Sequence, residues 1–95
     1  MKEFKFILNN SNVIFQSYHF ELKYNLLYGK RRILVERESN DVTITHGLGF
    51  EVTSIQKLIN HFVNDVRTLL LEMKYELTKD EYKLLLIDVY KLIKQ

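Results

Sequence analysis

The 95-residue chain contains no cysteine, no proline and no alanine, and only three glycines. Without cysteine there is no disulfide framework, no thiol nucleophile and no thiolate metal cluster, a usage that suits a reducing compartment. Cytoplasm is therefore the expected location. No stretch approaches the roughly 18 apolar residues of a membrane span, so no membrane partner is expected. The opening residues MKEFKFILNN alternate charged and apolar side chains and lack the continuous apolar run of a signal peptide. An excess of one charge is also missing, because 14 Lys and Arg are offset by 12 Asp and Glu, leaving +2. The absent alanine and proline, beside plentiful Lys, Asn, Ile, Leu, Tyr and Phe, are the usage of AT-rich codons. A low-GC bacterium, or a phage or plasmid living in one, is the expected source.

What is present is apolar and patterned. Hydrophobic residues make up 46% and aromatics 13%, which is ample for a packed core and too much for a disordered chain. Residues 1–95 are read as a single domain. All three glycines fall in the first 52 residues, where apolar and polar residues alternate, whereas residues 53–95 have no glycine and show helical spacing. Strands followed by helices give an α+β class: a four-stranded antiparallel meander within about residues 2–46, then helices at about 53–74 and 78–93.

The first strand places Phe4, Phe6 and Leu8 on one side and ends at the turn Asn9-Asn10-Ser11-Asn12. In residues 18–28 the even positions Tyr18, Phe20, Leu22, Tyr24, Leu26 and Tyr28 form one apolar face. Val13 and Phe15 occupy odd positions, so a bulge near Gln16-Ser17 is expected to restore the phase of a single long strand. A two-residue loop at Gly29-Lys30 would then set Leu26 against Ile33, Tyr24 against Val35 and Lys23 against Glu36. A corner at Ser39-Asn40-Asp41 leads into a fourth strand through Val42 and Ile44, with His46 near its end.

The first helix is expected to start at a Thr53/Gln56 capping pattern and to carry the stripe Ile55, Ile59, Phe62, Val66, Leu69, Leu70 and Met73. The second starts at a Thr78/Glu81 capping box, with Leu77 and Tyr82 in the staple positions. Its core stripe is Tyr82, Leu85, Leu86, Val89 and Ile93. Leu84, Ile87 and Tyr90 form a further apolar row, against which the surplus residues Val63 and Leu71 of the first helix are the alternative partners.

Chemical signatures are sparse. His19, His46 and His61 have no metal-binding spacing, so no metal or cofactor is expected. Glu36 and Glu38 share a strand face beside Lys23 and Arg37 and read as solvated. Gly47-Leu48-Gly49 lacks the longer glycine spacing and the following Lys-Ser/Thr of a phosphate loop, and reads as a connector. No nucleophile, base and orienting group assemble, and an enzyme is not expected.

Two surfaces remain. Lys30, Arg31 and Arg32 at a hairpin corner, with Arg37 nearby, could contact phosphates or an acidic partner. Against a nucleic-acid-binding role, the tyrosines are expected to face the core, and Glu21, Glu36 and Glu38 would repel a phosphate backbone. The row Leu84, Ile87 and Tyr90 points instead to protein binding, either to a host protein or through a second copy as a homodimer. The leading expectation is a small non-enzymatic protein-binding module, with nucleic-acid binding through the basic corner as the alternative. In general character, and through no motif, such a chain is similar to phage or mobile-element inhibitors of host proteins, anti-CRISPR-type proteins among them.

Overall fold

The structure, a computed structural model, describes residues 4–9, 11–40, 49–74 and 78–93. Its strands are β1 (Phe4–Leu8), β2 (Asn12–Ser17), β3 (Glu21–Gly29), β4 (Arg32–Ser39) and β5 (Gly49–Val52). Each pairs antiparallel with the next in one five-stranded sheet of order β1-β2-β3-β4-β5. Two helices follow, α1 (Ile55–Glu72) and α2 (Lys79–Ile93), and both pack on the same face of the sheet. The α+β class and the order of strands before helices are as expected, but the sheet has five strands and not four.

The extra strand comes from the run 13–28. It is not one bulged strand but a hairpin, folded back at Tyr18-His19. Ser17 N–H donates to the Phe20 carbonyl at 2.8 Å, and Phe20 N–H donates to Ser17 Oγ at 2.9 Å. The turn converts the odd parity of β2 into the even parity of β3, because Val13 pairs with Tyr24 and Phe15 with Leu22 on the same side of the sheet. Tyr18, expected in the core, stands at the tip with 89% of its surface exposed. The strand expected through Val42 and Ile44, His46 and the staple residue Leu77 lie outside the described residues. Gly49, read as connector, instead opens β5, where a Cβ would come within 3.2 Å of the Val35 carbonyl oxygen.

The β3–β4 register also differs from expectation, by two residues. Gly29 pairs with Arg32, so the loop is Lys30-Arg31, and the pairs are Leu26 with Val35, Tyr24 with Arg37 and Lys23 with Glu38. Arg31, at φ 61°, supplies the left-handed residue of this loop, although glycine adopts that conformation with less strain. Moving the loop by one residue shifts every cross-strand partner by two and keeps each side chain on its face. The opposite-charge character of the Lys23 pair is therefore preserved.

The inner face of the sheet carries Phe4, Phe6, Val13, Phe15, Leu22, Tyr24, Leu26, Ile33, Val35, Phe50 and Val52, all packed in or against one core. From α1 come Leu58, Ile59, Phe62, Val63, Val66, Leu69 and Leu70, all buried. Val63 is thus core and not surplus. The aromatics interlock: Phe15 lies 5.6 Å from both Phe4 and Phe6, and Phe62 lies 6.1 Å from Phe6 and 5.2 Å from Tyr24. Such tilted and edge-on ring pairs add about 0.5–1.5 kcal/mol each beyond the area they bury.

Helix α1 is capped by Ser54, whose hydroxyl accepts from Lys57 N–H at 3.2 Å, and not by Thr53. Thr53 Oγ1 instead accepts from Lys57 Nζ at 3.1 Å. At the other end Lys74 adopts φ 61°, and its N–H donates to the Leu71 carbonyl at 2.9 Å. That is a left-handed helix stop filled by a residue with a Cβ, where glycine is the unstrained choice. Replacing Lys74 with Gly is expected to raise stability by about 1 kcal/mol, roughly 4–8 °C in melting temperature for a domain of this size. Thermal denaturation followed by circular dichroism checks this.

Candidate functional site

The second helix is built to present two apolar faces. Its start is locked by the capping box: Glu81 N–H donates to Thr78 Oγ1 at 3.2 Å, and Thr78 N–H donates to Glu81 Oε1 at 3.1 Å. From that start the 3.6-residue period sends Leu85 and Val89 into the core, with Tyr82 and Leu86 packed partly against it. The same period turns Leu84, Ile87 and Tyr90 outward, with 60%, 48% and 39% of their surfaces exposed. Val63, offered as a partner for this row, is fully buried beneath α1, and Leu71 is half exposed.

Where α1 and α2 meet, the outward row borders a groove lined by Gln56 and Ile59 of α1 and by Leu86, Ile87, Tyr90 and Lys91 of α2. Its floor is apolar. Leu84 extends that apolar surface along the helix toward the Thr78 end. Covering such side chains contributes about 1.5–3 kcal/mol each, and contiguous exposed apolar surface on a small domain is characteristic of interfaces.

The open face of the sheet offers less. Leu27 and Leu34 pair across β3 and β4 with 55% and 39% exposure, and Ile7 is 39% exposed. Glu51 lies beside Leu34, and the row through Ile7 and Ile14 continues into Lys23 and Glu38. Among the described residues, the apolar pairs there are separated by charged and polar side chains.

The basic corner is divided. Lys30 and Arg31 are exposed at the hairpin tip. Arg32 reaches Glu51 at 3.4 Å, with both side chains more than half exposed, an ion pair worth about 0–1 kcal/mol. Arg37 does not belong to this corner. It shares the parity of Ile33 and Val35, pairs with Tyr24 across the sheet, and points to the helices. There its guanidinium donates to Asp65 of α1 at 3.0 Å and lies 5.6 Å from the Phe50 ring centre.

Sequence reasoning overlooked the cluster that this creates. Asp65 also accepts from the Tyr24 hydroxyl, and the His61 ring lies against Phe50 at 4.6 Å, tilted by 37°. Two signals were available: the odd parity of Arg37, and the position of Asp65 between Phe62 and Val66. Burial, reinforced by the negative charge of Asp65 and its hydrogen bond, pushes the Tyr24 hydroxyl well above the ordinary tyrosine range. The phenol, protonated at neutral pH like any tyrosine, keeps its proton further into the alkaline range. With Asp65 accepting from both Tyr24 and Arg37, the cluster ties sheet to helix. No protein-family model matches the chain, and comparisons with curated proteins and with solved structures return no match.

Replacing Tyr24 with Phe removes one hydrogen bond while leaving Arg37 and Asp65 paired, at an expected cost of about 1 kcal/mol. Asp65→Ala leaves both donors without their acceptor in a largely buried site and is expected to cost about 2–3 kcal/mol. The Tyr24 proton also sets an alkaline limit. Above about pH 10 the unfolded chain releases it while the folded chain retains it, so this contribution is complete below that pH and declines above it. Melting temperatures between pH 8 and about pH 11 should fall less steeply for Tyr24→Phe than for the wild type.

Proposed function

We propose that this protein is a small protein-binding module whose docking surface is the outer face of α2, centred on Leu84 and Ile87 and bordered by Tyr90. The observation that carries the reading is the continuous apolar surface running from Leu84 through Ile87 into the groove beside Ile59 and Leu86. A helix presenting anchors at three-residue spacing is a recurrent way for one protein to seat on another. The mode of action is occupancy: the module covers part of a partner's surface, whether that of a host protein or of a second copy, and carries out no turnover of its own.

Nucleic-acid binding through the basic corner receives less support. Of its three cations, Arg32 is engaged by Glu51, and Arg37, the fourth expected contact, is turned to Asp65 on the helix side. Tyr24, which pairs with Arg37 across the sheet, is fully buried and cannot stack on a base, so Tyr28, 56% exposed beside the loop, is the aromatic left near this corner.

The double variant Leu84→Lys with Ile87→Lys is the direct test. Both positions are outward, so the melting temperature should change by no more than the equivalent of about 0.5 kcal/mol each. Association should be lost, read by light scattering and by capture of the protein's partner. Val89→Lys is the contrast, because a charge at this fully buried position should unfold the protein. Unfolding of the double variant would mean that the outer face is core.

Changing Lys30, Arg31 and Arg32 together to Ser should leave both stability and association nearly unchanged. Loss of association with a steep salt dependence between about 50 and 200 mM would instead establish the basic corner as a phosphate contact.

A further inference from the structure

The outer face of α2 has an internal symmetry that specifies what covers it. Asp80, Leu84, Ile87 and Lys91 are spaced four, three and four residues apart, so they form one stripe on the side of the helix away from Leu85 and Val89. All four are exposed. Leu84 and Ile87 are equidistant from the point midway between Leu85 and Leu86, and so are Asp80 and Lys91. The stripe therefore reads as an acid, two apolar residues and a base, balanced about one centre, over roughly 16 Å of helix at 1.5 Å per residue.

Such a stripe is complementary to its own copy in reverse. A two-fold axis at its centre, with the helices antiparallel, brings Leu84 and Ile87 of one chain against Ile87 and Leu84 of the second copy. It also sets Asp80 opposite Lys91 of the second copy, and Lys91 opposite Asp80, one ion pair at each end. In a parallel arrangement the acids would face acids and the bases would face bases. Lys83 and Asp88 lie on opposite margins of the stripe, where water and salt screen them. An isologous contact with an apolar centre and charges at its rim is the usual form of a symmetric dimer interface. The groove beside Ile59 and Tyr90 continues the apolar surface on one side.

We propose that the occupant of this face is a second copy of the chain, docked as an antiparallel α2–α2 homodimer. The inference rests on the reading of that face as a docking surface and adds the identity of the partner. Charge orders the copies and the apolar pairs hold them, since charges at an interface rim contribute more to orientation and specificity than to affinity.

Charge exchange on the full chain tests the arrangement, with sedimentation equilibrium as the readout over a wide range of protein concentration. Asp80→Lys and Lys91→Asp should each weaken self-association by at least about tenfold, because each places like charges at both ends of the dimer. The double variant Asp80→Lys with Lys91→Asp should recover the wild-type association constant. An equimolar mixture of the two single variants should form a heterodimer more readily than either associates alone. Both exchanges oppose the helix dipole, so an effect on α2 stability alone predicts that the double variant is the worst of the three. Thermal melts of each variant separate folding from association.

A wild-type chain that stays monomeric up to its solubility limit overturns the proposal, as does a double variant that associates no better than the singles. If the wild type is monomeric yet binds another protein that Leu84→Lys with Ile87→Lys cannot bind, the docking surface stands and the homodimer falls. If that Lys variant fails to fold, both readings fall.

Discussion

Tyr24 is the joint on which the two layers of this protein depend. Its ring is fully buried between Phe62 of α1, at 5.2 Å, and Phe50 of β5, at 5.6 Å. Its hydroxyl donates to Asp65, which also receives Arg37 from the neighbouring strand. A tyrosine in such a position needs an acceptor, because a buried phenol without one carries the full cost of desolvation. Asp65 meets that need, and Arg37 balances the charge that Asp65 brings. One side chain thereby sets the height of α1 over the sheet by its ring and its placement along the sheet by its hydroxyl.

The rest of the core follows from that placement. With α1 held over Tyr24, its apolar stripe covers the centre of the sheet, and the aromatic cluster of Phe4, Phe6 and Phe15 extends beyond Phe62 toward β1. Helix α2 packs beside α1 and against β1 through Leu85 and Val89. A helix at the side of the layer needs only a narrow inner stripe to do this. Leu84 and Ile87 stand outside that stripe, and Val63, which the sequence offered as their partner, is fully buried in the core instead. The exposed row is thus a consequence of how the core closes.

The asymmetry between the two apolar surfaces bears on function. On the open sheet face the cross-strand pair Leu27 and Leu34 sits among charges, as natural sheets commonly arrange their wet faces. On α2 the apolar residues are contiguous and the charges are placed at the ends of the stripe. Apolar side chains distributed differently give an interrupted surface in one case and a contiguous one in the other.

Periodicity made much of this legible from sequence. The strand-to-helix order, the even parity of Leu22, Tyr24 and Leu26, the capping box at Thr78 and the outward row Leu84, Ile87 and Tyr90 depend on residues near one another along the chain, and local spacing specifies them. Other features required the tertiary structure. The change of parity between Phe15 and Phe20 was visible, but a bulge and a two-residue turn both satisfy it, and only pairing of Val13 with Tyr24 selects the turn. The loop at Lys30-Arg31 over Gly29-Lys30 was decided in the same way, since both choices keep every side chain on its face and only the packing of Val35 and Arg37 over the core distinguishes them. The Tyr24, Arg37 and Asp65 cluster joins residues up to 41 positions apart. Arg37 and Asp65 each stand on the apolar side of their own segment, but their meeting with Tyr24 exists only once the sheet and α1 are brought together.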